Sequence, residues 1–223
     1  MRPVGILGGM GPEATILLMQ KVLAAVPGAR DDADHIPLIV HQNPAVPSRI
    51  AHLIDGTGES PAATLGAMAQ GLKAAGARAL AMPCNTAHAY KSAFDGIGLP
   101  FLDMIELTAD HLAGLGARRI GMLASPATRR VRVFDAAFAA RGLTPVWAEG
   151  EALLDVIRAV KAGRPDAKPL ARIARGLARD SERLLVACTE LSLLTDALSG
   201  LDWSDSLDCL TSAIVAFSKG AAG

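Results

Sequence analysis

Short apolar runs rich in Val, Ile, Leu and Ala, each closed by Gly, Pro or a small polar residue, alternate along this chain with longer Ala-rich stretches. In the longer stretches the apolar positions recur at helical spacing. The alternation predicts an α/β fold, with strands at residues 4–7, 37–41, 79–82, 100–102, 120–123, 144–146 and 184–187. Helices are expected to begin at Pro12, Pro61, Thr86, Met104, Pro126, Ala152, Asp166, Leu191 and Cys209. Pro12, Pro61 and Pro126 stand where a first helical turn tolerates a missing N–H, and Ser60 and Ser125 are placed to cap.

The pattern also repeats. Arg2-Pro3-Val4-Gly5-Ile6-Leu7 is echoed 116 residues later by Arg118-Arg119-Ile120-Gly121-Met122-Leu123, and small residues and a Pro follow each. Later in each half an apolar run ends in cysteine, at Cys84-Asn85-Thr86 and, 104 residues on, at Cys188-Thr189-Glu190. Ala-rich chains produce chance echoes, but two halves with the same strand-to-helix order, each with a thiol at a strand's carboxyl end, read as two similar α/β lobes facing one another.

Charge and composition narrow the function classes. Lys+Arg 22 balances Asp+Glu 22, and 51% of residues are hydrophobic, which excludes a basic nucleic-acid arm, an acidic tail and long disorder. Mean hydropathy is +0.32, yet every apolar stretch is broken well before the ~18 residues a membrane span requires. Three cysteines without a CxxC give neither a disulfide framework nor a zinc site, and no signal-peptide layout opens the chain. A cytoplasmic protein with free thiols is expected, with no membrane or nucleic-acid partner.

Gly9-Met10-Gly11-Pro12-Glu13-Ala14 fits the G-x-G-x-x-A dinucleotide fingerprint only loosely. The second strand runs into Gln42-Asn43-Pro44 instead of an acidic residue, and Pro12 removes an amide that would cradle pyrophosphate. The turn reads either as a set of backbone amides, at Met10 and Gly11, for a small carboxylate-sized anion, or as purely structural. A buried cysteine alone is usually an inert small hydrophobe. Cys84 and Cys188, however, stand at strand ends beside Asn, Thr and Glu, near helix starts that would lower a thiol pKa below ~8.5. Cys209 lacks that setting and reads as core.

One thiolate and one thiol on opposite sides of a carbon are suited to removing a proton from one face and returning one to the other. Asn85, Thr86, Thr189 and the amides around Gly9–Gly11 are candidate donors for the carboxylate that absorbs the carbanion charge. Arg49, in the irregular segment past a strand end, forks onto a carboxylate or is simply solvated. Lys161 reads by default as a helix-end lysine facing water. Arg129, Arg130 and Arg132 form an anion-binding rim or, more simply, a charged outer helix face. His88, one turn after Cys84, either tunes its pKa or packs. The five histidines show no metal-ligand spacing, and HExxH, GxSxG and P-loop patterns are absent from the sequence.

Taken together, Gly8-Gly9-Met10-Gly11-Pro12-Glu13-Ala14-Thr15, Pro83-Cys84-Asn85-Thr86-Ala87-His88 and Cys188-Thr189-Glu190-Leu191 resemble the three main signatures of the aspartate/glutamate racemase family, and most closely its aspartate racemase branch. They occur in order across nearly the whole chain. The resemblance implies two Rossmann-like lobes, each a mostly parallel sheet flanked by helices, related by pseudo-twofold symmetry. On that reading residues 1–103, completed by 207–223, form the first lobe and 104–206 the second. It also implies PLP-independent amino-acid racemisation with no cofactor or metal, Cys84 and Cys188 as the catalytic acid/base pair, and a homodimer. Arg49 and Lys161 would hold the substrate, within a candidate binding set of Met10, Gly11, Arg49, Asn85, Thr86, Thr128, Lys161, Thr189 and Glu190.

Two departures from the branch's pattern bear on specificity. Pro47-Ser48-Arg49-Ile50 stands where the branch reads Pro-Asp-Arg-Thr, and Ala127-Thr128-Arg129-Arg130-Val131-Arg132-Val133-Phe134 replaces a Thr-rich segment followed by Ser or Gly and a Tyr. Aspartate is the expected substrate. Glutamate or broad-specificity racemisation, a related isomerase or decarboxylase using one cysteine, and a non-catalytic nucleotide- or amino-acid-binding module are the alternatives.

Overall fold

The computed structural model describes residues 1–220; residues 221–223, the tail of the segment expected to complete the first lobe, lie outside the described residues. Strands β1 (Val4–Gly8), β2 (Leu38–Gln42), β3 (Ala79–Ala81) and β4 (Phe101–Leu102) form one sheet in the order β2-β1-β3-β4. Strands β5 (Arg119–Ala124), β6 (Thr144–Trp147), β7 (Arg183–Ala187) and β8 (Trp203–Asp205) form a second in the matching order β6-β5-β7-β8. All pairings are parallel. This is the two-lobed α/β architecture that the strand and helix rhythm predicts.

Parallel strands need crossover helices on both faces, so their side chains are buried alternately to either side. Val4, Ile6, Ala79 and Ala81 pack on one face of the first sheet against Leu18 and Val22 of α1 (Pro12–Ala24), while Leu7, Leu80 and Met82 pack on the other against Leu65, Met68 and Leu72 of α2 (Ala62–Ala74). In the second lobe Ile120, Met122 and Leu185 meet Ile105, Ala109 and Leu112 of α3 (Met104–Gly114) and Phe138 of α5 (Asp135–Ala140). Leu123, Leu184 and Val186 meet α6 (Ala152–Lys161) and α7 (Ala167–Leu177). Gly5 and Gly121, the repeat's matching glycines, leave no room for a side chain: a Cβ would stand 2.9 Å from that of Ala77 at Gly5, and 2.6 Å from Leu184 Cδ2 and Ser181 Oγ at Gly121.

The elements differ from the sequence expectation at several places, among them the unpredicted helical turns Asp32–Asp34 and Ala51–Asp55. β8 and α5 went unpredicted, and the last helix, α8 (Ser206–Lys219), begins three residues before Cys209. At the predicted Pro61 start, Pro61 is the cap position and Ser60 Oγ accepts from Ala62 N–H at 3.3 Å. Ser125 caps the short α4 (Pro126–Arg130) as expected, accepting from Thr128 N–H. The chain passes between lobes on α3 and α8. Met104 packs in the first lobe's core while Ile105, Ala109 and Leu112 pack in the second's, and Leu207, Leu210 and Ile214 of α8 return to the first.

Asp205 caps α8 through Leu207 N–H at 2.8 Å and is 2% exposed. Burial raises its pKa to about 6. Between pH about 4 and 6 the folded protein therefore holds a proton that the unfolded chain has released, so this group's contribution makes the fold less stable as pH rises through that window. Asp205→Asn should flatten the dependence: urea unfolding from pH 4 to 7 should show the variant gaining on the order of 3 kcal/mol relative to wild type.

Candidate active site

In parallel sheets every strand runs toward the same edge, and the crevice outside the carboxyl ends collects the loops. β1 leads into Gly9-Met10-Gly11, β3 through Met82-Pro83 into Cys84, β5 into Ser125 and β7 directly into Cys188. These loops meet in a cavity of about 70 Å³ between the lobes. Cys84 and Cys188 both line it, each 8% exposed, with Met10, Arg49, Asn85, Thr86, Lys161, Thr189 and Glu190. Gly11 and Thr128 are not among the lining residues. Thr128 sits one hydroxyl behind, its Oγ1 3.0 Å from those of Thr86 and of Ser125 (Oγ).

The first turn owes its shape to Gly9, whose φ of +94° and contact with the Asn43 backbone, 2.4 Å from where a Cβ would lie, admit only glycine. Gly9 N–H donates to Thr15 Oγ1 at 2.9 Å, which ties the turn to α1. The lobes are pinned to each other beside each cysteine. Asn85 Nδ2 donates to Ser206 Oγ at 3.0 Å, and Thr189 Oγ1 donates to the Pro83 carbonyl at 3.3 Å. The Asn85 Oδ1 atom is buried and makes no hydrogen bond among the described residues.

Charge converges on the thiols. Lys161, the last residue of α6, places Nζ 3.0 Å from Glu190 Oε1, and the Cys188 thiol donates to Glu190 Oε2 at 3.1 Å. Arg49 Nη1 donates to the Pro47 carbonyl at 3.0 Å, which leaves most of the guanidinium fork available. Lys161 therefore faces the cavity mouth and not bulk water alone, 44% of its side chain being exposed. Burial works against its charge, but Glu190 and the two cysteines hold its pKa above the ordinary lysine value.

The thiol expectation is corrected. Burial pushes both cysteines up, not down, and the helices after them, Thr86–Phe94 and Leu191–Leu198, are 3-10 in character. For Cys84, Arg49 opposes the rise and Glu190 adds to it. For Cys188, Glu190 adds to burial both by charge and by accepting the S–H, and the pKa stands well above the usual thiol range. His88 contacts the Cys84 carbonyl, not its sulfur.

Ser48 and Ile50, from the departure that bears on specificity, also line the cavity, and the sequence reading missed Ser125, Leu154, Ile157 and Ala187 there. Ser125 was within reach of the repeat, since it ends the strand that matches β1. Leu154, Ile157 and Lys161 share one stripe of α6, a spacing of 3 and 4 residues that marks a common face. Arg129, Arg130 and Arg132 are exposed and lie off this cavity, along a separate hollow of about 430 Å³ with Trp147, in keeping with a charged outer face.

A larger groove, about 800 Å³, opens between α3 and α8 on apolar walls. Its one cysteine, Cys209, is partly exposed instead of core, and burial raises its pKa to about 11. The two thiols and the cations beside them are in the smaller cavity, and size is the poorer guide here. Among the described residues, no group of three or more His, Cys, Asp or Glu side chains is arranged to hold a metal, and no helix is long and apolar enough to cross a membrane.

Two like parallel lobes closing on a cleft between their carboxyl edges define a two-lobed α/β protein whose site lies in the crevice the sheets share. The chain belongs to the Asp/Glu/hydantoin racemase family, whose sequence pattern matches residues 7–213. It is similar to the Bacillus subtilis broad specificity amino-acid racemase RacX, with 25% identity over 95% of this chain and 96% of that one. Picrophilus torridus aspartate racemase superposes with a TM-score of 0.91 at 26% identity, covering 98% of this chain and 95% of that one. A Francisella tularensis glutamate racemase shares the fold at a TM-score of 0.68 and 14% identity, covering 100% and 83%.

Proposed function

We propose that the protein racemises an amino acid, aspartate in the first instance, without a cofactor, by moving protons between Cys84 and Cys188. The observation that carries this reading is that two thiols from matching strand ends line one cavity together with two cations. The Cys84 thiolate removes the α-proton from one face, and the Cys188 S–H delivers its proton to the other. The turnover ends with Cys84 as thiol and Cys188 as thiolate, the state that accepts the opposite enantiomer.

Electrostatics supports this division. Arg49 and Lys161 ease ionisation of Cys84, whereas Cys188 is held protonated by burial and by its bond to Glu190. Arg49 and Lys161 receive the two carboxylates of a dicarboxylic substrate. Asn85 Oδ1, buried and unpartnered among the described residues, is an acceptor for the substrate ammonium. The amides of Met10 and Gly11 and the hydroxyl of Thr86 receive the charge that develops on the α-carboxylate, while Thr189, its hydroxyl given to the Pro83 carbonyl, holds the lobes together beside Cys188. Met10, Gly11 and Thr128 complete the proposed set, Thr128 by orienting Thr86.

A second substrate range is favoured by one feature: Ile50, Leu154 and Ile157 give part of the cavity an apolar wall, and a neutral side chain would rest there. The experiment is to incubate the protein in heavy water with both enantiomers of a panel of amino acids. Deuterium should enter the α-position with inversion, fastest for aspartate. No exchange with any amino acid would overturn the racemase reading, and a faster neutral substrate would replace aspartate.

A further inference from the structure

The residue four past each cysteine reaches the same kind of place. His88 follows Cys84 by four, and Ser192 follows Cys188 by four. His88 is 2% exposed; its Nδ1 lies 2.9 Å from the Cys84 carbonyl, and Met104 N–H donates to its Nε2 at 3.2 Å. A carbonyl only accepts and an amide N–H only donates, so Nδ1 carries the proton and the ring is neutral. Asp103 Oδ1, 3.9 Å from Nε2, is occupied as the cap of α3, accepting from Ile105 and Glu106, while Lys91 pairs with Oδ2 at 2.9 Å. The ring also packs on Phe101, centroids 5.3 Å apart.

In the second lobe the Ser192 hydroxyl donates to Asp205 Oδ1 at 3.0 Å, the oxygen that caps α8. Leu191 N–H closes the turn onto the Cys188 carbonyl at 2.8 Å. Met104 and Ser206 are the first residues of α3 and α8, the two helices on which the chain passes between lobes. Each thiol-bearing turn is thus fastened to a crossing point by the residue four past its cysteine, through an imidazole in the first lobe and a hydroxyl–carboxylate pair in the second, and Asn85 ties the first turn to Ser206 as well.

We propose that His88 and Ser192 are positioning residues that fix Cys84 and Cys188, respectively, relative to the two inter-lobe crossings. The catalytic consequence rests on the acid/base reading of the cysteines, but the placement itself does not. Misplacing a reacting group by about 1 Å costs about 10²-fold in rate. His88→Phe, which keeps the ring's packing and loses both hydrogen bonds, should lower kcat by about 10–10²-fold with KM changed less than about threefold. His88→Gln, whose Oε1 can still accept from Met104 N–H, should recover part of that loss. Ser192→Ala should act likewise from the other side.

The decisive readout is alkylation of each cysteine by iodoacetamide, resolved by mass spectrometry in the full-length protein. Alkylation at Cys84 should change in the His88 variants while Cys188 holds to the wild-type rate, and the pattern should reverse in Ser192→Ala. Equal changes at both thiols, or none at either, would overturn the proposal, because general loosening does not choose a lobe. If His88→Phe fails to fold, His88→Gln and Ser192→Ala carry the same comparison. Alkylation reads thiol placement whether or not the protein racemises anything, so the two readings fail separately.

Discussion

Alanine at Cys84 or Cys188 should lower the rate of inversion by about 10²–10⁴-fold, the usual worth of a positioned acid or base. Either change leaves one sulfur in the cavity, so the two variants should not fail in the same way. Cys188→Ala keeps the thiol that Arg49 and Lys161 help to ionise. It should therefore still exchange the α-hydrogen of one enantiomer with heavy water, without inversion, whereas Cys84→Ala keeps only the thiol held protonated beside Glu190 and should exchange the other enantiomer more slowly. Polarimetry and proton NMR on the same samples separate inversion from exchange. Undiminished inversion in either variant would remove the two-base mechanism. Both cysteines are nearly buried, and alanine is smaller than cysteine, so the fold should survive each change.

Arg49→Leu should reduce kcat/KM for aspartate by about 10²-fold or more, since it removes a cation and a forked donor that no other residue of the cavity duplicates. Lysine at the same position should restore little, because a point charge does not reproduce the fork. A second effect separates Arg49 from a mere lining residue. Its charge opposes the upward push of burial on Cys84, so its loss should raise that thiol's pKa and move the Cys84 alkylation profile to higher pH. Cys188, whose pKa is governed by burial and Glu190, should keep its profile. An unmoved Cys84 profile together with normal kcat/KM would show that Arg49 serves neither substrate nor thiol.

The fold was legible where burial is two-sided. Val4, Ile6 and Leu7, and Ile120, Met122 and Leu123, are continuous apolar runs because both faces of each sheet are covered, and the matching glycines marked the two runs as copies. β8 was not legible: Trp203-Ser204-Asp205 carries one apolar residue and is held as a strand by pairing with Leu184, Leu185 and Val186. α8 was read to begin late because Asp205-Ser206 looks like loop until its carboxylate is seen accepting from Leu207. In the site, the cysteines were legible from the repeat, Arg49 as one of two readings from its place past a strand end, and Lys161 only from the resemblance. Leu154 and Ile157 read as ordinary core positions until α6 is turned toward the cavity. The error over thiol pKa has a plain cause. A nearby helix start can be read along the chain, but the depth of burial and the carboxylate of Glu190 beside Cys188 are properties of the folded arrangement.

The route of α8 sets an order of events for a chain emerging from a ribosome. Strands β1 to β4 are synthesised first, yet the face formed by Val4, Ile6, Ala79 and Ala81 is covered only in part, by Leu18 and Val22 of α1, until Leu207, Leu210 and Ile214 have been made. The second sheet has all its strands by residue 205, just before those covering residues of the first are made. The half of the molecule born first is thus finished last, and its nascent apolar face is the surface most in need of a chaperone's shelter.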